Sequence, residues 1–218
     1  MMNKTIFGAL AFGALAFSQV SQAATFDFAY QADNVSPYEQ GYSSYSLTDL
    51  GTGVTVTATA SSLTIDTDGN GVNDQYFAYL DSGSAGLGVC KVLNAYNQCN
   101  PSSDDNATLD EVLTLSFSEK VTLNEISFVN GVHGADFNSN RFYVSIDGGS
   151  AVDYALSTMF TNDLTGQVFD FWLADQVTAS YKNQFYINSI TVPTPAPLAL
   201  LALGLLGVYG ASRKKKAA

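Results

Sequence analysis

Short runs of strict alternation between apolar and polar residues, set apart by glycine, asparagine, aspartate and serine, constrain this chain more than any other feature. Val54 to Ala60, Val112 to Phe117, Val121 to Phe128, Phe142 to Ile146, Val168 to Leu173 and Phe185 to Val192 all repeat with period two. That is the period at which a β-strand sends successive side chains to opposite faces. No helical period of comparable length lies between them. Such runs predict an all-β fold, an antiparallel β-sandwich that is jelly-roll-like, each strand burying one face and exposing the other. The last run leads straight into Pro193, which places whatever follows at a sheet edge.

Charge narrows the class of partner. All 20 acidic residues lie between Ala24 and Val192, where only Lys91, Lys120, Arg141 and Lys182 are basic, so this body is more acidic than the chain's net −11. Such a surface repels nucleic acid and phosphate-rich membranes, attracts divalent cations and keeps an exported protein soluble. Its wealth of aromatic and β-branched residues separates it from acidic disordered chains, because it can bury enough apolar surface to fold.

The two ends read as addresses. Lys4, the apolar stretch Ile6 to Phe17 and Ser21-Gln22-Ala23 have the order of a secretory signal peptide cleaved after Ala23. At the other end Val192-Pro193-Thr194-Pro195-Ala196-Pro197 precedes an uncharged stretch, Leu198 to Ala211, and then Arg213, Lys214, Lys215 and Lys216. As a helix that stretch rises roughly 21 Å against a hydrocarbon core of about 30 Å. The basic cluster acts as a cytoplasmic stop and leaves everything upstream outside. The expected organisation is a signal peptide over 1–23, a sandwich ectodomain over 24–192, and a sorting segment over 193–218 holding proline motif, transmembrane helix and basic tail.

Proline motif, glycine-interrupted leucine helix and basic cluster in this order resemble the C-terminal sorting signal of PEP-CTERM proteins of Gram-negative bacteria. Thr194 stands where the family name has Glu. The resemblance implies an exosortase-type processing enzyme as partner beside signal peptidase, an inner-membrane-anchored intermediate, and delivery to the cell surface or an extracellular polysaccharide matrix. An ordinary anchor that is never cut meets the same physical requirements. The stretch from Gly86-Leu87-Gly88-Val89-Cys90 through Asp105-Asn106 to Leu115 also resembles a segment of one group of PEP-CTERM ectodomains. That resemblance implies a shared jelly-roll-like body and no established activity.

Within the body, Asp66-Thr67-Asp68-Gly69-Asn70-Gly71-Val72-Asn73-Asp74 has the oxygen ligands and glycine of a calcium loop, because a hard cation needs many oxygens on a tightly curled backbone. Asp66, Asp68, Asn70 and Asp74 are the candidate ligands. Phe77 stands where the bidentate Glu of an EF-hand belongs, so Asp81 or a distant carboxylate would complete the shell. The alternative is a β-hairpin that turns at Asn70-Gly71 with solvated aspartates. Asp104, Asp105, Asp110 and Glu111 form either a second calcium site or an acidic solvated loop.

Cys90 and Cys99, the only cysteines, fit a disulfide in an oxidising compartment. Alternation places Phe169, Phe171 and Leu173 on one face and Asp170 with Trp172 on the other. Trp172 is then either a sugar-stacking platform beside a carboxylate or an indole covered by a loop. Tyr38, Tyr42 and Tyr45 offer further aromatic surface. His133 is the sole histidine, and with no nucleophile elbow and no phosphate-cradling loop nothing singles out a catalytic residue. The expected function is non-enzymatic, structural or adhesive, with calcium as the one candidate cofactor. The alternative is a lectin-like carbohydrate-binding module, calcium-dependent if the loop holds its ion.

Overall fold

The computed structural model describes residues 23–66, 69, 71, 73–138, 140–174 and 180–193. The expected signal peptide up to residue 22 and the sorting segment from Thr194 onward, with Pro195, Ala196 and the basic cluster, lie outside the described residues.

The described chain runs β1 (Ala24–Asp27), α1 (Phe28–Asn34), β2 (Gln40–Tyr42), β3 (Tyr45–Thr48), β4 (Thr55–Ser62), β5 (Gln75–Asp81), β6 (Gly86–Cys90), β7 (Glu111–Leu123), β8 (Glu125–Val129), β9 (Arg141–Ile146), β10 (Val152–Ala155), β11 (Met159–Phe160), β12 (Leu164–Leu173), a 3-10 turn (Tyr181–Asn183) and β13 (Tyr186–Val192). Every pairing between these strands is antiparallel. Hydrogen bonds lead from strand to strand in the order β10-β9-β12-β7-β4-β5-β6-β13-β8-β11, while β1 joins β13, β2 joins β5 and β3 joins β4.

That path curls until its ends meet. Phe142 on β9 lies 5.1 Å from Phe128 on β8 and 5.3 Å from Phe160 on β11, ring centre to ring centre, although these strands stand near opposite ends of the path. The passage from one layer to the other is narrow, with β4 meeting β5 through Ala60↔Tyr76 and Ser61↔Gln75. The result is a curled, sandwich-like antiparallel body around one apolar core, to which Phe26, Phe128, Phe142, Phe169, Phe171 and Ile190 all contribute.

Alternation sorts the faces as expected. β4 buries every second residue, and β12 buries Phe169, Phe171 and Leu173 while Asp170 and Trp172 lie on the outer face. β7 differs from expectation. It is one strand of 13 residues that absorbs Val121 to Leu123, and the chain turns at Asn124 into β8. The helix α1 was not legible as a period because it has only 7 residues; the Asp27 carboxylate caps it, accepting from the Tyr30 N–H.

The edge position expected for the last strand is wrong. β13 is interior, paired with β8 along one side and with β1 and β6 along the other. Its polar residues find partners in that interior position: Asn188 donates to the carbonyl of Ser84, and Ser189 pairs with both Ser127 and Asp27. Cys90 and Cys99 form the expected disulfide with their Cα atoms 5.8 Å apart. Packed against Tyr79, Phe77 and Leu93, it makes a second small apolar cluster. Closing a loop of this length contributes about 2.5–3 kcal/mol in the chain-entropy model.

Candidate functional site

The segment from Ser62 to Asp74 continues the β4–β5 ladder. Ser62 N–H donates to Asp74 O and Asp74 N–H to Ile65 O, each at 2.7 Å. The Asp66 carboxylate then gathers the chain, accepting from Gly69 N–H and Gly71 N–H at 2.8 Å each, both glycines having positive φ. Asp68 and Asn70 lie outside the described residues. Among the described residues no three His, Cys, Asp or Glu side chains converge as a metal-holding group. Asp81 does not complete this shell. It ends β5, which Gln75 begins beside the turn, so at about 3.3 Å per residue it lies roughly 20 Å away.

The acidic stretch before β7 is also divided. Asp104 and Glu111 both turn to Lys91, at 3.7 and 3.0 Å. Glu111 is fully buried and accepts from Thr108 N–H, and burial raises its pKa despite Lys91. Asp110 takes a positive φ where β7 begins, and Asp105 faces a different neighbourhood. The four do not form one site.

On the outer face, Trp172 is half-buried and lies 5.5 Å from Tyr143 at a tilt of 33°. A groove of about 260 Å³ opens beside it, lined by Ser61, Asn73, Thr114, Ser145 and Asp170 among others. Cross-strand register explains the assembly. Thr59 on β4 faces Thr114 on β7, Thr114 faces Asp170 on β12, and Asp170 faces Ser145 on β9, a row that crosses four strands. Asp170 accepts from the Thr114 hydroxyl at 2.7 Å. Neighbouring rows carry the hydroxyl pairs Ser46–Thr57 and Thr48–Thr55. This face combines rows of hydroxyls with an aromatic pair, the Asp170 carboxylate and, opposite Tyr143 on β10, Asp153 paired with Arg141. Tyr42 and Tyr45 do not belong to it. They pack on each other at 5.0 Å and against the core, and burial pushes the Tyr45 phenol up to about 12. Tyr38 is exposed.

A second constellation was not legible in sequence. A cavity of about 590 Å³ is lined by Asp81, Asp105, Asn106, His133, Gln184 and Tyr186, with Tyr181 and Val132 at its rim. His133 Nδ1 lies 3.0 Å from the Gly83 carbonyl, which can only accept, so Nδ1 carries a hydrogen. Its Nε2 lies 2.8 Å from Asp81 Oδ2, and one proton is shared across that contact. Both ring nitrogens are thereby engaged. The Tyr186 hydroxyl donates to Asp105 Oδ1 at 2.5 Å. Burial, then the charge of Asp105, pushes Asp81 up to about 6 against the pull of His133. Burial likewise raises Asp105, and burial with both carboxylates raises the Tyr186 phenol.

Gly88 is why the Asp105–Asn106 loop reaches this place. A Cβ on Gly88 would lie 2.1 Å from the Asp105 carbonyl oxygen and 2.9 Å from Asn106 Cα. The loop therefore rests directly on the β6 backbone, a close approach that glycine permits. The Gly-Leu-Gly-Val and Asp-Asn pieces, far apart in sequence, are two sides of one contact.

No family model and no curated protein matches this chain. Among solved structures it is similar to that of the CBM32-1, CBM32-2 and M60 catalytic domains of Clostridium perfringens ZmpB, at 12% identity and a TM-score of 0.29. The match covers 82% of this chain and 17% of that one.

Proposed function

We propose that this protein is an exported, non-enzymatic ectodomain of the cell surface or extracellular matrix, whose jelly-roll-like body holds saccharide on the face around Trp172. The observation that carries the reading is the groove where Trp172 and Tyr143 adjoin Asp170 and rows of serine and threonine hydroxyls. A pyranose offers an apolar face to stack on an indole and hydroxyls at its edge to pair with carboxylate and hydroxyl groups. The sorting reading rests on the order of Val192 to Lys216: signal peptidase and an exosortase-type enzyme would process the two ends, with a membrane-anchored intermediate between.

Trp172→Ala is expected to weaken retention on immobilised matrix polysaccharide ten-fold or more, about 1.4 kcal/mol, with the melting temperature little changed. Retention equal to wild type would sink the reading, and release of reducing ends by the wild-type protein would point instead to a hydrolase.

Calcium in the Asp66–Asp74 turn is the second part of the proposal, supported by the Asp66 carboxylate that curls the backbone around itself. Millimolar calcium is expected to raise the melting temperature by a few degrees relative to chelator, and Asp66→Ala with Asp68→Ala is expected to abolish the rise. An unchanged wild-type melting point would leave the segment a hairpin turn.

A further inference from the structure

From the cavity between Asp81, Asp105 and Asn106 we infer a second binding site, one that takes a primary ammonium group on a hydroxylated ligand, that is, an amino-sugar residue. Asn106 is 2% exposed and lines the cavity, yet its side-chain Oδ1 has no hydrogen-bond partner. A buried acceptor left unpaired costs about 1–3 kcal/mol, and a ligand that donates to it recovers that cost. The same wall holds two carboxylates, one of them 5% exposed. Of the cavity's donors, the Tyr186 proton is committed to Asp105 and the two sides of the His133 ring to Gly83 and Asp81, while the Ser102, Ser103 and Gln184 side chains line it as groups that both donate and accept.

This wall therefore offers acceptors and negative charge, and its occupant must bring protons and positive charge. Phosphate and uronic acids are repelled by Asp105, the carboxylate whose charge His133 does not offset. A bare metal ion fits poorly, because among the described residues no His, Cys, Asp and Glu side chains are arranged as a metal-holding group, and the space is many times the volume of an ion. An alkylammonium makes three separate bonds to acceptors spread around it. The rim supplies the complement for a sugar ring, with Tyr181 45% exposed and the Gln184 side chain lining the wall. This site lies apart from the Trp172 groove and shares no lining residue with it.

The test is a titration of the full chain with glucosamine, N-acetylglucosamine, glucose and calcium, followed by NMR or calorimetry. The expected result is at least ten-fold tighter binding of glucosamine than of either neutral sugar. Asp105→Asn, which keeps the shape and removes one charge, should erase that preference. Equal affinity for the three sugars, no binding of any, or calcium competing stoichiometrically with glucosamine would each overturn the inference. The wild-type comparison of sugars needs no variant, so a poorly folded Asp105→Asn protein does not shield the proposal.

Discussion

Truncation of Phe142 to alanine is expected to cost about 3–5 kcal/mol, the range for emptying a fully buried aromatic site. Phe142 is 0% exposed, and its ring meets those of Phe128 at 5.1 Å, Phe160 at 5.3 Å, Tyr154 at 5.8 Å and Phe171 at 6.2 Å. Those partners come from β8, β10, β11 and β12, so the one side chain joins strands of both layers where the curled path closes on itself. Surrounding rings are too rigid to collapse into the void, which places the cost toward the upper part of the range. Thermal unfolding should show a loss on the order of 10 °C, with Phe142→Leu falling between. A loss under about 1 kcal/mol in denaturant titration would mean that the two layers do not share this core.

Lys91→Met is expected to cost about 3 kcal/mol, because it strands a charge. Glu111 has no solvent exposure, and Lys91 is the cation that faces it. Removing one partner of a buried pair leaves the other uncompensated. Burial already raises the Glu111 pKa with Lys91 present, and methionine would raise it further. A carboxyl whose folded pKa lies above its unfolded value is protonated more readily in the folded state. Its penalty is absent at low pH, where both states are protonated, and grows as pH rises through the two values. The deficit of the variant should therefore be full at neutral pH and shrink on acidification. A deficit that stays constant with pH would place the cost in lost packing of the lysine stem. Glu111→Gln in the Lys91→Met background should recover part of the stability.

Fold class was legible because it depends on periodicity, and periodicity is local. Phe142 to Ile146 and Val168 to Leu173 fall inside observed strands, and Val54 to Ala60 does so from Thr55 onward. Strand ends were less legible, since the turn at Asn124 carries no glycine or proline to mark it. Residues that define a site by converging from distant segments could not be read from spacing. Asp81, Asp105, His133 and Tyr186 come from four separate stretches, and sequence reading assigned Asp81 to a loop at the other end of its own strand. Trp172 was legible because alternation alone decides which face of β12 it occupies. Its partner Tyr143 was not, because their meeting depends on the register between β9 and β12.

The interior position of β13 bears on how the body would carry load. Val192 leads directly into the segment proposed to tether the protein. Ile190 and Thr191 are paired on both flanks, to Phe26 and Thr25 of β1 and to Ile126 and Glu125 of β8. Antiparallel ladder bonds lie across the strand direction. Tension drawn along the strand from Val192 therefore shears the bonds of both ladders together and cannot open them one at a time, as it would at a free margin. A body held by its tail while its Trp172 face grips a polymer would meet such a pull in the mode that spreads it over the most bonds.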